Sequence, residues 1–170
     1  MNTYKVVVTG PFNAGKTEFV RTASDIEIVS TERIITDAAA KEGKTATTVA
    51  LDYGHVKVGD ALLHLYGTPG QERFKFMWNI LSSSSDAFIL VVDSEDRTSF
   101  MEAMQMIRLM RKSRKAPYLL AANKQDGRKA LSPEKIAHLL KLPESVPVVP
   151  CVARDKQSVM QVLEQTIEIL

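Results

Sequence analysis

The sequence predicts an α/β domain in which a six-stranded, mostly parallel sheet, five strands parallel and one antiparallel, carries helices on both faces. Three observations lead there. Short apolar runs alternate with stretches of helical period, the pattern of crossover units stacked on a parallel sheet. A glycine-rich turn joins the first apolar run to the first helical stretch. The length of 170 residues, with 45% hydrophobic and 25% charged side chains, fits one domain with one substantial core.

Residues 4–9 (YKVVVT), with three consecutive valines, read as a buried strand. The glycine-rich turn follows, then a helix over about 15–22. Between residues 23 and 47 apolar periodicity is weak, and so long a connection inside a small domain is a functional loop. Residues 48–58 and 61–66 read as two strands joined at Gly59-Asp60, a glycine-containing hairpin turn and the antiparallel pair. Residues 87–93 (AFILVVD) and 117–122 are buried strands on either side of a helix whose Phe100, Ala103, Met104, Ile107 and Met110 share a face. Met101, Met104, Met106 and Met110 on that helix read as core filling rather than a docking stripe. Ser132 followed by Pro133 marks a helix start, with a capping hydroxyl and a proline in the first turn. Residues 146–150 supply the last strand, and the closing helix sets Val159, Val162, Leu163, Ile167 and Leu170 at core spacing.

Composition excludes several function classes. A net charge of +2, from 22 basic and 20 acidic residues, gives no field that argues for nucleic acid or a membrane surface as partner. The lone Cys151 forms no intramolecular disulfide and no multi-cysteine metal site, which suits a reducing, cytoplasmic setting. No apolar run reaches the ~18 residues of a membrane span. Asn2 in place of glycine and the ending Ile-Glu-Ile-Leu lack the common lipidation signals, so no direct membrane anchor is expected.

Residues 10–17 (GPFNAGKT) match G-x-x-x-x-G-K-[ST] at every fixed position, after a strand and before a helix. Glycines let the main chain wrap around phosphate, so that the amides of Asn13, Ala14, Gly15, Lys16, Thr17 and Glu18, entering the helix, face the anion. Lys16 supplies a point charge to the β- and γ-phosphates, and the Thr17 hydroxyl is a ligand for Mg²⁺. A second motif, Asn123-Lys124-Gln125-Asp126, follows a strand at the carboxyl edge of the sheet. An ionised Asp126 accepts two hydrogen bonds from the ring N–H and amino group of guanine, a pair adenine does not offer. The stem of Lys124 lies over a base while its ammonium reaches the phosphate loop, and Asn123 ties the two loops together.

With these motifs the chain resembles the Ras superfamily of small GTPases over essentially its whole length, and residues 119–126 (LLAANKQD) and 91–94 (VVDS) are similar to Arf-type members. The resemblance implies a Ras-like P-loop NTPase fold and a single G domain over 1–170, with a first switch at about 23–48 and a second at about 67–80. It implies GTP or GDP with Mg²⁺ as cofactors, and protein regulators or effectors acting through the switches. It places Thr48, in TVALDY, where the first switch closes on Mg²⁺ and the γ-phosphate, with Thr47 as the fallback. The metal's protein ligands would then be Thr17 and Thr48. Val152 and Ala153 fall where the family's last loop offers a backbone N–H to guanine, although the usual serine is absent.

Residues 67–74 (GTPGQERF) stand against the family's D-x-x-G-Q-E. Gly70 would give its N–H to the γ-phosphate, and Gln71, catalytic together with Lys16, would orient the attacking water. The first acidic position is Gly67, which weakens carboxylate support for the metal. That loss, followed by Pro-Gly-Gln, is similar to prokaryotic gliding-motility and conservon-type small GTPases, and implies a bacterial or archaeal origin and small roadblock or longin-fold regulators. Phe12, where Ras has glycine, crowds the approach of an arginine finger, and Arg73 reads as a switch-surface residue in preference to an internal finger.

Two other classes stay open. Gly67 and Phe12 are compatible with a pseudo-GTPase, a nucleotide-bound assembly subunit with negligible hydrolysis; Gln71 argues against it. An ATP-dependent phosphotransferase is disfavoured by Asp126. Phe74, Phe76, Met77 and Trp78 read as packing of the second switch helix, with a partner surface as the alternative. His55, His64 and His138 lack metal-ligand spacing, and Asp93 and Asp96 read as helix caps.

Overall fold

The computed structural model describes residues 1–37, 45–68, 83–113 and 116–170. Among them, seven strands form one sheet: β1 (Asn2–Thr9), β2 (Val29–Asp37), β3 (Thr45–Val58), β4 (Ala61–Gly67), β5 (Ala87–Asp93), β6 (Tyr118–Asn123) and β7 (Val148–Pro150). The helices are α1 (Lys16–Ala23), α2 (Phe100–Ser113), α3 (Pro133–Leu139) and α4 (Lys156–Ile169). The strand order is β2-β3-β4-β1-β5-β6-β7. Strands β4, β1, β5, β6 and β7 are parallel, and β3 runs against both β4 and β2.

The sheet has seven strands rather than the six expected, because residues 29–37 form β2 where a loop was expected. Its ladder with β3 runs without a break from Val29 opposite Tyr53 to Asp37 opposite Thr45. Val29, Thr31, Ile34, Ile35 and Thr36 are β-branched, the side chains a pleated backbone favours. As an edge strand, β2 carries no clean alternation of apolar and polar residues, so periodicity alone missed it.

Successive residues of β1 face opposite sides, which is why its apolar run is unbroken. Val6 and Val8 pack under α1 and α4, through Phe19, Val20, Val159, Val162 and Leu163. Val7 packs on the other face under α2 and α3, through Ala103, Ile107, Met110 and Ile136. On α2, Met106 and Met110 are buried and Met104 is half-buried, but Met101 is 72% exposed and leaves the methionine row. Leu170, expected in the core, lies past the end of α4 and is exposed. Helix starts follow local chemistry. Ser132 Oγ accepts from Lys135 N ahead of α3, Asp155 from Gln157 N ahead of α4, and Asp96 from Thr98 N in the 3-10 turn before α2.

This topology brings the turns after β1, β5, β6 and β7 to one edge of the sheet. The strand order reverses at β1, and the crevice at such a point is where open α/β sheets bind ligands. Phe19 is fully buried between α1 and the sheet. Phe19→Ala is expected to cost about 3–5 kcal/mol, read as a lowered urea midpoint at unchanged slope; an unchanged midpoint would remove Phe19 from the core.

Candidate functional site

The turn after β1 takes backbone conformations that few side chains allow. Gly10 has φ 149°, Asn13 63° and Gly15 106°. A Cβ on Gly15 would lie 2.3 Å from Asn123 Nδ2, and one on Gly10 would lie 2.0 Å from the Val91 carbonyl oxygen. Only glycine therefore lets this turn close against β5 and the residues after β6. Inside it, Lys16 is 7% exposed and donates from Nζ to the carbonyls of Gly10 (2.5 Å) and Pro11 (3.0 Å). Burial strips water from the ammonium and lowers its pKa to about 8, against a smaller opposing pull from the Glu102 carboxylate.

Beside this turn lies a cavity of about 360 Å³, lined among others by Phe12, Lys16, Thr17, Asp52 and Thr68. Thr17 Oγ1 donates to Asp52 Oδ2 at 2.7 Å. A hydroxyl whose proton is taken in this way keeps its lone pairs for a cation, so the donor chemistry here fits Mg²⁺. Phe12 is 67% exposed and points away from the packed interior. Glu18, on the first turn of α1, pairs with Arg21 at 2.9 Å.

A second cavity of about 620 Å³ is lined by Asn123, Lys124, Asp126, Val152, Ala153 and Arg154, among others, and shares Gly15 and Glu18 with the first. Asn123, the last residue of β6, is 2% exposed and bridges two loops: Nδ2 donates to Ala14 O at 2.8 Å, and Oδ1 accepts from Ala153 N at 2.9 Å. Lys124, in the left-handed region at φ 63°, donates from Nζ to Asn13 O (3.1 Å) and Asp93 Oδ2 (2.6 Å). Asp93 also accepts from Glu95 N, so it holds the lysine as well as the turn after β5. Gln125 Nε2 donates to Ser94 Oγ and Leu131 O, both at 2.8 Å. Asp126 Oδ2 accepts from Arg154.

The structure thus gathers Asn13, Ala14, Gly15, Lys16, Thr17, Glu18, Asn123, Lys124, Asp126, Val152 and Ala153 around two adjacent cavities. Two further placements concern expected site residues. The N–H groups of Val152 and Ala153 are engaged within the chain, the first with Ser158 Oγ at 2.8 Å and the second with Asn123 Oδ1 at 2.9 Å. Thr48 lies on β3. It pairs with Ile34 in the β2–β3 ladder, four residues along β3 from Asp52, ~13 Å at the usual strand rise. Gly70, Gln71, Arg73, Phe74, Phe76, Met77 and Trp78 lie outside the described residues.

Sequence reasoning missed three participants. Asp52 follows TVAL in the segment quoted for Thr48, but its contact crosses strands and no motif marks it. Arg154 was legible only as the residue after Ala153. Asp93 was read as a cap, and its partnership with Lys124 joins residues 31 positions apart. Among the described residues, no group of three or more His, Cys, Asp or Glu is placed to hold a metal, and no helix is long and apolar enough to cross a membrane.

Comparison with known proteins follows the same lines. Residues 8–170 match the family described as "Conserved hypothetical ATP binding protein". The uncharacterized protein MJ1339 of Methanocaldococcus jannaschii is 34% identical over 122 residues, 72% of this chain and 70% of that one. ADP-ribosylation factor-related protein 1 of Bos taurus is 33% identical over 132 residues, 76% of this chain and 63% of that one, so this chain spans under two thirds of its length. The Arl6 BBS3 small GTPase of Trypanosoma brucei, solved with the nucleotide analogue GppNp, shares the fold at TM-score 0.74 and 21% identity, covering 98% of this chain and 96% of that one.

The lowered pKa of Lys16 has a measurable consequence in protein free of bound anions. Between pH 8 and 10.5 the unfolded chain holds the lysine proton that the folded chain has lost. This lysine therefore penalises stability fully below pH 8, and the penalty is relieved as pH rises to 10.5. The advantage of Lys16→Met over wild type in urea unfolding is expected to shrink over that window by on the order of 3 kcal/mol; an advantage independent of pH would contradict the burial.

Proposed function

The chain belongs to the conserved hypothetical ATP-binding protein family and to the Ras-like small GTPase superfamily, and from that premise we propose that it hydrolyses GTP to GDP and phosphate and uses the two states as a molecular switch. The observation that carries this reading is that the two cavities lie side by side, with Gly15 and Glu18 lining both. Lys16 stands at one, suited to a polyphosphate, and the Asp126 carboxylate at the other, suited to the N–H and amino groups of guanine. The matched family is described as ATP-binding. The choice of guanine rests on Asp126, which adenine would leave without its paired donors.

In this reading the nucleotide replaces partners that the chain supplies to itself. Phosphate oxygens take the Lys16 ammonium from the carbonyls of Gly10 and Pro11, and the base takes Asp126 from Arg154. Lys124 lies over the base while held by Asp93 and Asn13. With the Val152 and Ala153 amides engaged, the base edge facing that loop is met only if Ser158 turns away. Thr17, and in the GTP state Thr48, would hold Mg²⁺, which would supply positive charge against the phosphates. Thr48 reaches that point only by leaving its place opposite Ile34, so GTP would part the far end of the β2–β3 ladder and hydrolysis would let it re-form.

Gly70 contacts the γ-phosphate in this scheme and Gln71 orients the attacking water. Hydrolysis without a partner is expected to be slow, on the order of 10⁻³ per second or less. A regulator, of which the roadblock or longin type is one candidate, would act on the segments around 23–48 and 67–80. The setting that fits is the cytoplasm.

Two measurements test the reading. Asp126→Asn presents an amide where the carboxylate stood, so preference is expected to move from guanosine to xanthosine diphosphate, whose 2-oxo group accepts from the new amide N–H where the guanine amino group could only donate. Retained guanosine preference, or preference for adenosine nucleotides in the wild type, would remove Asp126 as the base reader. In single-turnover phosphate release, Gln71→Leu is expected to fall well below wild type; equal and negligible rates would assign a nucleotide-bound assembly role instead.

A further inference from the structure

We propose that Asp52, on β3, is the carboxylate that supports the divalent cation in this chain, taking the place left empty by Gly67 on the neighbouring strand; the proposal rests on the nucleotide reading above. Threonine serves as a cation ligand through an oxygen lone pair, and does so well only when its proton is directed elsewhere. Asp52 Oδ2, 2.7 Å from Thr17 Oγ1, is the acceptor that directs it. Removing such an outer partner of a metal ligand typically costs 10–100-fold in metal affinity.

The sheet register explains why the acid stands on β3. Asp52 pairs directly with Gly67 of β4 on one side and with Ser30 of β2 on the other. A Cβ built on Gly67 would lie 3.3 Å from Asp52 Cβ and 3.3 Å from Val20 Cγ2, closer than the ~4.5–5.5 Å usual for facing residues of an antiparallel pair. The two positions therefore compete for one volume, and two carboxylates there would also repel. With glycine at 67, the side chain of Asp52 crosses over the β4 backbone to the first turn of α1. Its carboxylate then lines the same cavity as Lys16 and Thr17. The cation support thereby sits on the strand that continues into residues 45–50 and pairs with β2, so it belongs to the ribbon that has to open for Thr48 to arrive.

A purely structural Asp52, anchoring β3 to the start of α1, would make the same hydrogen bond. The two roles separate in the dependence of nucleotide release on magnesium. Release of a fluorescent GDP analogue would be followed over buffered free Mg²⁺, from chelator to millimolar, for wild type, Asp52→Asn and the double variant Asp52→Gly/Gly67→Asp. The expected result is that Mg²⁺ slows release from wild type, that Asp52→Asn raises the half-maximal Mg²⁺ concentration about 10–100-fold, and that the double variant, with its carboxylate moved to β4, returns to within about threefold of wild type. The double variant carries the test should the single one fold poorly. An Asp52→Asn curve with an unshifted midpoint, faster by one factor at every Mg²⁺ concentration, would overturn the proposal, as would a double variant shifted tenfold or more. Release from wild type that ignores Mg²⁺ would sink this proposal alone, whereas no GDP binding at any Mg²⁺ concentration would sink the nucleotide reading beneath it.

Discussion

The side-chain amide of Asn123 is the fastening on which the rest of the site depends. It is buried to 2% exposure, and its two ends are used on different loops: Nδ2 holds the Ala14 carbonyl of the turn after β1, and Oδ1 holds the Ala153 N–H of the turn after β7. Each bond contributes modestly, but an orphaned partner would cost about 1–3 kcal/mol, so the three turns keep one relative position. Gly15 makes this possible, because any side chain there would occupy the space of the amide. Lys124 reinforces the same junction from outside, tying the turn after β6 to Asn13 and to Asp93 at the end of β5.

A fastening of this kind lets the sheet edge hold groups in states that the chain alone would not favour. Lys16 is enclosed by carbonyls with its ammonium poorly solvated, which lowers its pKa and leaves it ready to exchange those carbonyls for a stronger anionic partner. Asp126 pairs with the exposed Arg154, an ion pair that water screens and a ligand can displace. The two ends of the cleft thus carry opposite charges, each held by a replaceable partner.

Much of this was legible in the sequence, and what was missed shares a physical cause. The turn around Lys16 and the Asn123–Asp126 motif are local: fixed spacing on a strand-turn-helix unit determines where each side chain goes. The helix start at Ser132 is local too, and the buried strands announced themselves by apolar runs. The contact between Thr17 and Asp52 joins residues 35 apart through the pairing of β3 with β4, and only the register reveals it. β2 escaped because an edge strand need not alternate. Met101 and Leu170 were assigned to the core by composition and spacing, but helix rotation and the helix end expose them. The engaged amides of Val152 and Ala153 depend on Ser158 and Asn123, and no sequence pattern encodes a donor's choice between partners inside the chain and a ligand.

The central claim is that a polyphosphate grip at Lys16 and a purine-reading carboxylate at Asp126 belong to one site. Isothermal calorimetry of the wild-type protein with GDP and with ADP, at fixed free Mg²⁺, tests it most directly. The account predicts tight binding of GDP, with ADP weaker by at least about a hundredfold, as expected when a carboxylate covered by the bound base loses its paired donors. Equal affinity for the two nucleotides, or no heat with either, would contradict it.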